Sequence, residues 1–263
     1  MTPDAAPTSV PAATSATAGA RTIAIDGPSG SGKSSVSRAV AIELGLRYLD
    51  TGAMFRALTW WCVEQRVDLR DQDRVAQAAR DLPLSMGTDP QDPHVRVAES
   101  TIDAAIRTPE ISAAVSAVAT NPQVRTQLAD EQRRIIAEAR LASGGIVVEG
   151  RDITTVIAPE AEHRILLSAS EDARLQRRSA ELDDRGQSQD AQDVRDQVLR
   201  RDRDDATVSA FFTPAEGVHG IDTSALTFAQ SVAAVLDVVR QDSAAHTGAT
   251  DHVSHPPTST PGA

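Results

Sequence analysis

Gly27-Pro28-Ser29-Gly30-Ser31-Gly32-Lys33-Ser34 is the stretch that decides the fold of this chain: two glycines separated by four residues, then Lys-Ser. Upstream, Thr22-Ile23-Ala24-Ile25 is a short apolar, β-branched run, and downstream Ser34 to Leu44 carries Val36, Val40 and Leu44 at helical spacing. Strand, loop and helix in that order turn successive backbone N–H groups into one concavity, and the helix N-terminus adds about half a positive charge. The pattern predicts a phosphate-binding P-loop built from Gly27, Pro28, Ser29, Gly30, Ser31, Gly32, Lys33, Ser34 and Ser35. Lys33 reaches the β- and γ-phosphates of a nucleoside triphosphate, and the Ser34 hydroxyl ligates magnesium.

Outward from this loop, apolar segments alternate with helical patterns, which predicts an α/β fold with a parallel sheet flanked by helices. Strands are expected at Thr22–Ile25, Arg47–Leu49, Ile146–Val148, Arg164–Leu167 and Gly220–Ile221. Helices are expected at Lys33–Leu44, Ala53–Glu64, Val75–Asp81, Pro109–Ala119, Pro122–Leu141, Glu171–Leu182, Ala191–Arg203 and Phe228–Arg240. Thr108-Pro109 and Asn121-Pro122 place capping residues before a first-turn proline, and Thr227 with Gln230 forms a capping box. From Leu84 to about Ala105, short apolar pieces divided by turn signals predict a small β-containing lobe inserted into the core. Asp183 to Asp190, polar and lying between two Arg-rich helices, has the layout of a mobile lid.

At 263 residues the chain suits one large α/β domain or a core with an inserted lobe. Its net charge of -11 argues against coating nucleic acid or a membrane surface, so an anion site must be a focused cluster of cations. The single cysteine, Cys62, excludes an intramolecular disulfide, fits a reducing compartment and reads as packing beside Trp60 and Trp61. Residues 1–20 contain no Lys or Arg and no continuous apolar run, and so are expected to be a disordered extension rather than a signal peptide. The tail from Asp242 to Ala263 is expected to be disordered as well, with His246, His252 and His255 solvated rather than metal-binding. No segment approaches the apolar length of a membrane span.

The remaining polar clusters indicate where an acceptor would bind. Asp50-Thr51-Gly52-Ala53-Met54-Phe55-Arg56 and Glu149-Gly150-Arg151-Asp152 each follow a predicted strand, at the sheet edge where open α/β sheets bind ligands. Arg107, Ser116 and Arg125 occupy the stretch after the lobe. Arg200-Arg201-Asp202-Arg203-Asp204-Asp205, with Arg174, Arg177 and Arg178, concentrates arginine around the lid. Cap, turn and solvated helix face are the plainer readings of these clusters; phosphoryl transfer is the reading that requires them together, because closing arginines stabilise the transferred charge.

In the order Ile25 to Ser35, Leu49 to Arg56, Ile106 to Glu110, Val115 to Ala119, Val124-Arg125, Val148 to Asp152, and Arg201-Asp202 with Asp205, the chain resembles the bacterial cytidylate kinases over roughly Arg21 to Arg240. The resemblance implies a nucleoside monophosphate kinase domain over 21–241, with a CMP-binding insert at about 84–120 and a lid at about 177–205. It implies ATP as phosphoryl donor with Mg2+, CMP and dCMP as acceptors, and a cytoplasmic enzyme of pyrimidine metabolism without nucleic-acid or membrane partners; a monomer is expected. Thr51, Ser116, Arg125 and Asp152 match positions that read cytosine. Arg56 and Arg151 match those that hold the acceptor phosphate, Arg201 and Asp205 lie near ribose and phosphate, and Arg107 joins the substrate-binding set. Lys33, Arg151, Asp152 and Arg201 are the candidate catalytic residues. The chemistry agrees: cytosine offers an amino donor beside N3 and O2 acceptors, complementary to a carboxylate and to Arg125 and Ser116, whereas uracil would face Asp152 with an acceptor. One departure is Val208, where family members commonly carry an arginine followed by Pro-Leu; Arg177 or Arg178 is expected to substitute, or acceptor-phosphate binding to be weaker. Alternatives are a kinase of another small acceptor, such as UMP, AMP or a shikimate-like compound, and a nucleotide-binding switch ATPase.

Overall fold

The computed structural model describes residues 20–184, 186 and 190–248. The expected N-terminal extension up to residue 19, the tail beyond residue 248 and, within the expected lid loop, Arg185 and Gln187 to Gln189 lie outside the described residues.

β1 (Arg21–Asp26) runs into the P-loop and α1 (Lys33–Leu44), followed by β2 (Arg47–Asp50), α2 (Thr51–Glu64) and α3 (Gln72–Asp81). β3 (Leu84–Met86), β4 (Val95–Val97) and β5 (Ser100–Thr101) form the inserted lobe, and one 3-10 turn at Ala105–Arg107 leads to α4 (Pro109–Ala119) and α5 (Pro122–Ser143). β6 (Gly145–Gly150), β7 (His163–Ser168), α6 (Glu171–Asp184), α7 (Ala191–Asp205), β8 (His219–Asp222) and α8 (Phe228–Gly248) complete the chain.

The main sheet has the order β2-β6-β1-β7-β8, with all pairs parallel. Both faces of its central strands are covered, which explains their unbroken apolar runs. Ala24, Leu49, Ile146 and Val148 pack on one side against Met54, Leu58 and Cys62 of α2 and Leu128 and Ile135 of α5. Ile23, Ile25, Val147, Ile165 and Leu167 pack on the other side against Val36 and Val40 of α1 and Val235 and Val239 of α8. Cys62 is buried in the first cluster, and burial pushes its thiol up to about 11, as befits a packing residue.

The lobe is a three-stranded antiparallel sheet whose Val95, Val97, Ile102 and Ile106 pack on Ala53 and Ala57 of α2. Arg38 on α1 donates to the carbonyls of Pro90 (2.6 Å) and Gln91 (2.9 Å), tying the lobe to the helix of the P-loop.

Helix starts follow the capping residues. Asp50 accepts from Ala53 N and Asp71 from Arg74 N, so α2 and α3 begin earlier than apolar spacing alone indicates. Thr108 and Asn121 cap α4 and α5, and Thr227 and Gln230 exchange two hydrogen bonds at the start of α8. α8 continues to Gly248, past the expected end at Arg240, through Ala244 and Ala245, which favour helix.

The element with no sequence signature is a π-helical turn, Ile153–Ile157, directly after Arg151-Asp152. Asp26, at the end of β1, shapes it by accepting from Ile153 N (2.9 Å), Thr154 N (2.8 Å) and Thr154 Oγ1 (2.6 Å). Burial raises the Asp26 carboxyl from 3.8 to about 6, although the hydrogen bonds from Thr154 and Ile153 pull it down. A carboxyl that holds its proton more tightly when folded stabilises the fold at low pH and loses that contribution as pH rises through about 6. Asp26→Asn cannot titrate. Denaturant unfolding at several pH values should therefore show the wild type losing about 2 kcal/mol relative to Asp26→Asn between about pH 4 and pH 7; a flat difference would rule out the buried ionisation.

Candidate functional site

The parallel strands end together, which brings Asp26, Asp50 and Glu149-Gly150 to one edge beside the P-loop. Gly30 is left-handed (φ 76°), and a Cβ there would sit 2.7 Å from the Arg174 carbonyl, so α6 packs directly on the loop. Gly150 serves the facing turn, where a Cβ would lie 2.6 Å from Thr51 Oγ1.

Lys33 Nζ donates to Pro28 O (3.4 Å) and lies 3.9 Å from Glu149 Oε2. Burial lowers its pKa, opposed by Glu149. Ser34 Oγ donates to Glu149 Oε1 at 2.6 Å. Burial, reinforced by Asp50, raises Glu149 to about 7, while Lys33 and Ser34 pull it down. The hydroxyl and two carboxylates are hard oxygen donors suited to magnesium. Among the described residues no group of three or more His, Cys, Asp or Glu is placed to hold a metal ion by itself.

A cavity opens beyond Lys33 and Ser34. Ser29, Gly30, Lys33, Ser34, Thr51, Arg56, Arg107, Arg125, Arg151, Asp152, Arg201 and Asp205 of the expected site line it together. Its charged lining comprises Lys33, Arg56, Arg107, Arg125, Arg151, Arg178 and Arg201 against Asp50, Glu149, Asp152, Glu181 and Asp205, a cationic excess in an acidic chain. Asp50 is shared by Arg56 (3.3 Å) and Arg107 (3.4 Å); burial pushes its carboxyl up, and the two arginines outweigh that and hold it low. Arg125 Nη2 pairs with Asp152 Oδ2 (2.5 Å) and donates to Ser209 Oγ (3.1 Å). Burial raises Asp152, only partly offset by Arg125.

Arg151 pairs with Asp202 Oδ1 (3.0 Å) and Asp205 Oδ2 (2.8 Å), and Arg201 Nε lies 3.6 Å from Asp205. Burial, with Arg151 and Arg56 nearby, pushes Arg201 down to about 9, so the cluster carries repulsion that its carboxylates do not cancel. Arg56 Nε, Arg151 Nη2 and Arg201 Nε are buried without a hydrogen-bond partner. Spare donors on neighbouring guanidinium groups suit a polyanion such as phosphate.

Some expected residues occupy other places. Ser116 does not line the cavity; Ser112, Val115 and Ala119 do so from α4. Thr51 does line it, but its hydroxyl is engaged, donating to the Glu149 carbonyl (2.9 Å) and joining the start of α2 to β6. Arg177 holds Ser31 O (3.2 Å) and Thr223 O (2.5 Å) and so braces the P-loop, whereas Arg178 lines the cavity and pairs with Glu181 (2.8 Å). Two further residues lie within the quoted clusters but receive no site role from the sequence. Glu149 carried a signal, an acid ending an apolar strand; Asp202 lay inside a mixed-charge run that resembled a solvated face. It is buried, accepts from Ser29 N (3.3 Å) and Arg151, and pairs with Arg174, which also donates to Ser29 O (3.1 Å).

Residues 23–241 match the family model described as cytidylate kinase. A cytidylate kinase of Streptomyces avermitilis is 43% identical over 224 residues, covering 85% of this chain and 94% of the relative. One of Cutibacterium acnes is 46% identical over 221 residues, covering 82% and 95%. A gluconokinase structure from Sinorhizobium meliloti matches at 16% identity with a TM-score of 0.42, covering 87% of this chain and 97% of that one.

Removing Asp202 would leave Arg174 without its carboxylate and Arg151 with only Asp205. Asp202→Ala should cost about 3 kcal/mol in denaturant unfolding, because uncompensated buried cations remain; a loss below about 1 kcal/mol would mean that solvent reaches the network.

Proposed function

The chain belongs to the cytidylate kinase family, and we propose that it transfers the γ-phosphoryl group of ATP directly to the phosphate of CMP or dCMP, yielding ADP and the diphosphate. The observation that carries this reading is that the P-loop residues Lys33 and Ser34 line the same cavity as Arg56, Arg125, Arg151, Asp152 and Arg201. Donor and acceptor therefore meet in one enclosure.

The P-loop cradles the triphosphate, Lys33 contacts its β- and γ-oxygens, and Ser34 would hold a magnesium ion, which would supply charge neutralisation of the phosphates. At the other end, the Arg125–Asp152 pair presents a donor beside an acceptor, complementary to N3 and the exocyclic amino group of cytosine. Arg56 and Arg151 take the acceptor phosphate, with Arg201 and Asp205 beside the ribose. A phosphate oxygen of the monophosphate attacks the γ-phosphorus as the bond to the β–γ bridging oxygen breaks. Arg151 and Arg201 face the charge that develops on the transferred group. The segment about 177–205 acts as the lid that excludes water, and 84–120 as the acceptor-binding insert. The reaction belongs to cytoplasmic pyrimidine nucleotide metabolism.

Coupled measurement of ADP release against CMP, dCMP, UMP and AMP is the direct test: CMP and dCMP should be preferred, and AMP as best acceptor would reject the reading. Lys33→Ala should lower kcat about a thousandfold with every acceptor, the scale of losing one preorganised stabiliser of the transferred charge. Asp152→Asn should narrow the CMP-over-UMP ratio of kcat/KM by at least about tenfold, and an unchanged ratio would remove Asp152 from base reading.

A further inference from the structure

After α7 the chain runs through Val208 to Phe212 without regular structure, yet Phe211 is fully buried. It does not line the cavity. Arg151 Cζ lies over its ring, 4.4 Å from the centroid, and Phe212 packs beside it at 4.6 Å between centroids. The same segment braces Arg125, which donates to Ser209 Oγ (3.1 Å) and Val208 O (3.5 Å).

Arg151 is thus held on three sides. Asp202 takes Nη1, Asp205 takes Nε, and the Phe211 ring lies against Cζ. Nη2 alone has no partner. The two carboxylates hold two of its nitrogens, while Arg151 and Arg201 repel each other. The aromatic face adds a third anchor, because a cation is drawn to the negative centre of the ring while the ring itself has little freedom to lose.

We propose that Phe211 is a positioning residue of the acceptor site: its ring face holds the Arg151 guanidinium in place at the cavity wall, where that arginine meets the phosphate of the acceptor nucleotide. This rests on the reading of the cavity as a nucleoside monophosphate kinase site. Phe211 acts through Arg151 and touches no substrate. The expected effect of removing the π-face is about tenfold in acceptor binding, the scale of one desolvated cation–π contact.

The test is steady-state kinetics of the full chain carrying Phe211→Leu or mono-, di- and trifluorinated phenylalanine at position 211, with CMP varied at saturating ATP and ATP varied at saturating CMP. Fluorination drains the ring face while nearly preserving its shape. KM for CMP should climb with each fluorine to about tenfold, with KM for ATP unchanged, and Leu should match the trifluoro form. If Leu does not fold, the fluorinated series decides alone. A KM for CMP that stays flat along the series, or a KM for ATP that rises in parallel, overturns the proposal while leaving the functional reading intact. A wild type that turns over no CMP overturns both.

Discussion

Crowding like charges into one enclosure is the constraint on which the rest of this molecule depends. Seven cationic side chains surround a single cavity, and each loses hydration in joining it. The chain offsets that cost with carboxylates placed to orient arginines without saturating them. Asp50 divides itself between Arg56 and Arg107, Asp202 between Arg151 and Arg174, and Asp205 between Arg151 and Arg201. Sharing leaves N–H groups over, and Arg201 is pushed down first by burial and then by repulsion from Arg151 and Arg56. A site in this condition gains by taking in an anion. That is how a chain of net charge -11 accommodates a ligand rich in phosphate.

The sheet makes such crowding possible. Parallel strands deliver their carboxyl ends to one edge, so Asp26, Asp50 and Glu149 arrive there as a consequence of register rather than of separate loops. Each then takes a different task. Asp26 shapes the π-helical turn behind Arg151-Asp152, Asp50 caps α2 while gripping arginines, and Glu149 receives the Ser34 hydroxyl of the P-loop. Their pKa values diverge for the same reason: Asp50 faces cations and is held low, while Asp26 and Glu149 are dominated by burial and rise.

Asp202 links the two halves of this arrangement. It meets the P-loop at Ser29, the guanidinium of Arg151, and α6 through Arg174. α6 and α7 are thereby fastened to both the P-loop and Arg151, so a displacement of α7 is felt at both. Phe211, just beyond α7, adds an aromatic wall to the same arginine.

Local signals carried most of the architecture. The P-loop, the five parallel strands, the eight helices and the caps at Thr108, Asn121 and Thr227 follow from patterns within a dozen residues, because propensity, capping and amphipathic period act at short range. The clusters at Asp50–Arg56 and Glu149–Asp152 were legible for the same reason, each being a polar group at the end of an apolar strand. What the sequence by itself determined was therefore the set of elements and the chemical types at the sheet edge. Tertiary structure alone decided the pairings: Ser34 with Glu149, Asp26 with the turn at Ile153, Ser29 with Asp202, Arg151 with Phe211, and Ser112 rather than Ser116 at the cavity wall. The through-space contacts among these join residues from about sixty to well over a hundred positions apart, and a charged side chain in a mixed-sign run looks the same in sequence whether it is solvated or buried. Only desolvation and Coulomb energy in the packed molecule separate the two, and both depend on neighbours that the fold supplies.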